Sequence, residues 1–136
     1  MRHFLIAFAA LSLLSGCNVS ADTDAAEQAV IEFHRAMDSG QYAAIYDASA
    51  EDMKSSISRD DFIKLLDGLH GKFGPFQSGK TTGWHDNSTT GGHYVSLSRE
   101  AQFQKGQGTE DFVFRIENGR VVLAGYHINS NLLVTG

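Results

Sequence analysis

The stretch Thr109 to Ile128, TEDFVFRIENGRVVLAGYHI, constrains the fold more than any other part of the chain. Asn118-Gly119 lies between two alternating runs, and that dipeptide supplies the positive φ angles of a two-residue type I′ turn. Glu117 is therefore expected to pair with Arg120 and open an antiparallel hairpin. Side chains alternate faces along a strand, so counting back in twos fixes one face. It places Ile116 opposite Val121, Phe114 opposite Leu123, Phe112 opposite Gly125 and Glu110 opposite His127. That face is mostly apolar until its end, where a carboxylate meets an imidazole. One bulge would carry His127 to the other face and undo the pairing.

The N-terminal segment has a different character. Arg2 is followed by the apolar run Phe4 to Leu14 and then Leu14-Ser15-Gly16-Cys17. This resembles a bacterial lipoprotein signal peptide over residues 1–16, ending in a lipobox. The resemblance implies cleavage before Cys17 and lipidation of that cysteine, which becomes the new N-terminus. The apolar run is too short for a membrane span, which needs about 20 residues. Several acyl chains on one residue give stable attachment. Asn18 stands where an Asp would resemble an inner-membrane retention signal, which favours the outer membrane, facing the periplasm.

Beyond that segment the composition describes one small domain. Cys17 is the only cysteine, so no disulfide is expected and an apolar core must hold the fold. Eleven Lys and Arg stand against sixteen Asp and Glu, and loss of Arg2 takes the formal charge from −5 to −6. Such a surface argues against nucleic acid or an anionic headgroup as partner. Residues 17 to 23 read as the lipidated cysteine and a short polar tether, and residues 24 to 136 as the domain.

From Asp24 the positions Ala26, Ala29, Val30, Phe33 and Met37 form the stripe of an amphipathic helix, stopped by Ser39-Gly40. Tyr42, Ile45 and Tyr46 indicate a second short helix, and Met53 with Ile57 a further turn or two. Ser58-Arg59-Asp60-Asp61 offers an N-cap before Phe62, Leu65, Leu66, Leu69 and Phe73, and Gly71, Gly74 and Pro75 close the helical half. His34 and His70 read as boundary or surface side chains, having no second ligand at metal spacing in their own helices. Tyr42 and Tyr46 share a face and read as core packing with rim hydroxyls.

After Pro75 the period changes to two. Phe76 to Asp86 reads as a strand carrying Trp84, a core or interface aromatic. Ser88 to Gly92 reads as a turn, His93 to Phe103 as a second strand, and Lys105 to Gly108 as the turn into the hairpin. Helices first and an antiparallel meander second make an α+β fold, with N-terminal helices packed on a curved four-stranded antiparallel sheet in a cone-shaped roll. Arg99 shares the inward parity of Val95, Leu97, Ala101 and Phe103. A buried Arg needs a partner, and several registers bring it near Glu110.

Tyr42 and its short helix, Ser58 to Phe62, Gly74, Glu110-Asp111-Phe112 and Val122 to Tyr126 together resemble the nuclear-transport-factor-2-like, or cystatin-like, α+β roll. Within it they resemble a family of small bacterial envelope proteins of unknown function. The resemblance spans roughly Asp24 to Asn129. It implies a cone that holds an acid or His in enzymatic members and serves binding or dimerisation in others. The helix positions where the isomerases place their base have no match.

Arg99, Glu110 and His127 are the candidate ligand-binding residues, against the alternative of a purely structural polar cluster. No catalytic residue is assigned. His85, His93 and His127 lack paired ligand spacing, so neither a metal nor a cofactor is expected. No nucleophile elbow is present, and Asn87-Ser88-Thr89 is a chance glycosylation pattern in a bacterial lipoprotein. Val113, Val122, Ala124, Tyr126 and Ile128 are expected on the outer face, where they make a homodimer through Val113, Val122 and Tyr126 plausible, with the C-terminal residues as a competing cover. Three functions follow in order: a non-catalytic envelope lipoprotein binding a small ligand or protein, an assembly lipoprotein acting by homodimerisation, and a proton-transfer enzyme of isomerase or dehydratase type.

Overall fold

The computed structural model describes residues 19 to 134. The signal peptide expected at residues 1–16 and the expected lipidation site Cys17 lie outside the described residues. Four α-helices, α1 (Val19–Asp38), α2 (Tyr42–Asp47), α3 (Glu51–Ser56) and α4 (Arg59–Phe73), precede four strands. The strands are β1 (Phe76–Thr89), β2 (Gly92–Phe103), β3 (Gly106–Glu117) and β4 (Arg120–Asn129), with a closing 3-10 turn at Asn131–Leu133. They form one antiparallel sheet in the order β1-β2-β3-β4. This is the expected α+β plan. Helix α1 starts at Val19, so residues 19 to 23, read from sequence as a tether, belong to its first turns.

The helix ends follow from local chemistry. The Ser58 hydroxyl accepts from the Asp61 backbone N–H at 3.2 Å, capping α4 as its spacing implied. Gly74 ends the helix at a φ of 71°, where a side chain is disfavoured. Tyr46 of α2 is buried, and its hydroxyl donates to the Ile57 carbonyl at 2.8 Å, so it is a core residue that also ties α2 to the end of α3. Helix α3 is fastened further by Asp52, which accepts from the Tyr94 hydroxyl at 2.7 Å and from the Arg115 guanidinium at 3.2 Å.

In the β3–β4 hairpin, Asn118 and Gly119 both take positive φ, 50° and 75°, as a type I′ turn requires. The register holds through Glu117 with Arg120, Ile116 with Val121 and Phe114 with Leu123. Then Ala124 bulges out, and Val113 pairs with Gly125, Phe112 with Tyr126, Asp111 with His127 and Glu110 with Ile128. The expected pairing of Glu110 with His127 is thereby replaced. An extra residue in one strand reverses the facing of everything beyond it, so Tyr126 and Ile128 turn inward and His127 outward.

The inner face and the helices enclose a core in which Ala26, Val30, Phe33 and Met37 of α1 meet Val95, Leu97, Phe112 and Phe114. Each large side chain fully buried there contributes roughly 1.5–3 kcal/mol. Phe73, Ala101, Phe103 and Ile128 make a second cluster, against which Leu132 packs. Two sequence expectations differ. Trp84 is 56% exposed on the edge strand β1, which removes the core half of its core-or-interface reading, and Leu65 is 46% exposed although it lies beside the buried stripe of α4.

Candidate functional site

Helix α1 lies over the inner face of the sheet and carries polar groups beside its apolar stripe. Glu27 and His34 are seven residues apart, two helical turns, and so share a side. Each reaches a polar residue on a strand. His34 is buried, and its Nε2 lies 2.8 Å from Glu110 Oε1 and 3.1 Å from Oε2. The Tyr126 hydroxyl donates to Oε2 at 2.6 Å. Glu110 itself is 0% exposed, so these bonds from His34 and Tyr126 replace the water it loses on folding.

Rings pack around this cluster on several sides. The His34 imidazole stacks on Phe76 with centroids 3.7 Å apart and meets Phe33 and Phe112 edge-on. Tyr126 packs on Phe33 and Phe112. Burial first, and the Glu110 charge second, hold the Tyr126 hydroxyl well above the usual tyrosine range. It is a persistent proton donor to the carboxylate. The cavity beside the cluster, lined by Phe33, His34, Leu69, Phe103, Glu110 and Tyr126 among others, measures about 10 Å³. That is roughly the space of one water.

Arg99 faces inward opposite Glu110, as expected. Its guanidinium turns away, however, donating to Glu27 and, at 2.8 Å, to the Thr81 hydroxyl. The Thr81 hydroxyl in turn donates to Glu27. Of the three candidate ligand residues, then, Glu110 is at the centre of one cluster and Arg99 of a second, while His127 is exposed on the outer face. The bulge at Ala124 is the physical reason for that last departure.

His34, Glu27 and Tyr126 were not picked out from the sequence as partners of these residues. The seven-residue spacing along the edge of the apolar stripe was the available signal for the first two. Plain alternation puts Tyr126 on the outer face with Val113 and Val122. Those valines do lie there, half-buried, but Tyr126 and Ile128 face inward, which corrects the expected dimer surface. His85 and His127 are exposed and do not converge on His93, which instead lies 2.7 Å from Asp86. His70 reaches Asp38 at 3.2 Å, and the same carboxylate accepts the Phe76 backbone N–H.

Helices covering one face of a four-stranded antiparallel sheet define an α+β domain. The chain belongs to a family described as a protein of unknown function, DUF4019, whose match spans residues 29–126. That span contains His34, Arg99, Glu110 and Tyr126. No curated protein matches. A solved structure from Catenulispora acidiphila is similar, with a TM-score of 0.53 and 14% identity over 85% of this chain and 96% of that one. The likeness extends to the fold alone.

Proposed function

We propose that this chain is a lipid-anchored bacterial envelope protein whose domain, a member of the nuclear-transport-factor-2-like superfamily, is a non-catalytic binding module. The observation that carries the non-catalytic reading is the closed Glu110 cluster. A carboxylate spent on His34 and Tyr126, beside a cavity of about 10 Å³, has no room for a substrate. General acid–base chemistry needs the reacting group within hydrogen-bond reach of the substrate. Binding is then a property of the surface. A groove of about 530 Å³ runs between α1, α2 and the tip of the β3–β4 hairpin, walled by Ala29, Ala36, Ala44 and Ala48 and floored by Phe114, Val121 and Leu123. Its small-residue walls suit an apolar protein segment.

The anchor rests on Leu14-Ser15-Gly16-Cys17 after an apolar run. Among the described residues no helix is long and apolar enough to cross a membrane. Two measurements on the full chain expressed in bacteria test the anchor and the closed interior. The intact mass of the membrane fraction is expected to show loss of residues 1–16 and addition of acyl groups, both abolished by Cys17→Ser. Native mass spectrometry of the same protein is expected to show no small molecule retained inside the domain. A soluble, unprocessed chain contradicts the anchor, and a bound small molecule lost on Glu110→Gln contradicts the closed interior.

A further inference from the structure

A second polar cluster lies apart from Glu110. Asp22 comes from the first turn of α1, Asp86 from β1 and His93 from β2. Asp86 pairs with Val95, which sets His93 on the diagonal of the same face, close enough for the side chains to meet. His93 Nε2 is 2.7 Å from Asp86 Oδ1 and 3.7 Å from Asp22 Oδ2. One ligand atom from each residue falls within 4.8 Å of the others. The second oxygen of Asp86 is buried and has no hydrogen-bond partner among the described residues.

We infer that Asp22, Asp86 and His93 form a binding site for one divalent transition-metal ion of the Zn²⁺ type. An imidazole nitrogen with two carboxylates is a donor set such an ion accepts. Bonds of about 2.0–2.2 Å place donors roughly 3–4 Å apart around the ion. The present separations bracket that range, so side-chain adjustments are enough to admit the ion. Its double charge balances two carboxylates on an acidic domain. It also gives the unpartnered Asp86 oxygen a partner, and takes the place of the His93–Asp86 hydrogen bond, since a ring nitrogen that ligates the ion carries no proton to donate. The Asp residues and the His belong to three elements, so the ion ties the start of α1 to the β1–β2 hairpin, at the end of the domain nearest Cys17 in the chain. Three protein donors leave the remaining positions to water.

The test is calorimetric titration of Zn²⁺ into the full chain carrying Cys17→Ser, which removes a competing thiol. One ion is expected to bind per chain. Asp86→Asn and His93→Gln are each expected to weaken binding at least about tenfold, while His85→Gln, a change at an exposed imidazole on the same strand, leaves it at the parent value. Far-UV circular dichroism checks that each variant is folded. Should Asp86→Asn fail that check, His93→Gln, at a side chain that is 31% exposed, decides alone. The absence of saturable binding, or equal affinity in the parent and His93→Gln, overturns the site.

Discussion

Glu110 is an ionisable residue with no exposed surface, and its two partners decide what it does. Removing its charge while keeping its shape, as in Glu110→Gln, exchanges charge-assisted bonds for neutral ones, at an expected cost of about 1.5–3 kcal/mol in urea unfolding. Tyr126→Phe removes one bond and is expected to cost about 1–2 kcal/mol. The tyrosine also sets a pH limit. Its hydroxyl titrates higher in the folded chain than in the unfolded one, so above about pH 10 only the unfolded chain releases that proton. Stability is therefore full below that pH and falls as pH rises through it. In Tyr126→Phe the alkaline loss should be shallower, though not absent, since Tyr94 is also held up by its bond to Asp52. At this scale the sequence was only half legible. Parity put Glu110 and Arg99 inside correctly, but parity cannot say which way a long guanidinium turns, and the Glu27 and His34 that claim these two residues lie more than sixty positions away.

The bulge at Ala124 is the element on which the site depends. Deleting Ala124 is expected to restore plain alternation, turn Tyr126 and Ile128 outward and bring His127 into the core. Loss of the near-UV aromatic dichroism and of cooperative unfolding would register that change. The hairpin turn was legible because Asn-Gly has few conformations that fit. The bulge was not, because Gly125 and Tyr126 are both acceptable opposite Phe112, and local alternation carries no sign that the bulged register gives Glu110 a buried donor and buries Ile128. Helix α4 was legible down to its cap, and Ser58→Ala should cost about 1 kcal/mol. On α3, Asp52 is held below the usual carboxylate range chiefly by the Tyr94 hydroxyl, with Arg115 adding to the effect. A carboxylate with a depressed pKa contributes stability above its unfolded value, and the contribution is lost as pH falls through the folded one. Asp52→Asn should accordingly flatten the acid limb of a melting-temperature profile below about pH 4.

For the whole molecule, the order of helices and strands was legible from the change of period at Pro75, and the α+β class follows from it. Ion pairs and hydrogen bonds link α1 to the sheet along much of the helix, from Asp22 to Asp38. The domain closes over these links and leaves its open groove outside. The central claim is that the Glu110 cluster holds the fold together and turns nothing over. Residues retained for catalysis or ligand capture often cost stability, and replacing them tends to be neutral or stabilising. Residues retained for structure behave in the opposite way. The direct measurement is a double-mutant cycle in urea on the full chain with His34→Gln, Glu110→Gln and the pair. Both single variants should be destabilised by about 1.5–3 kcal/mol, and the double variant by clearly less than their sum. If either single variant were as stable as the parent or more so, the cluster would be a site held for function, and the account would be wrong.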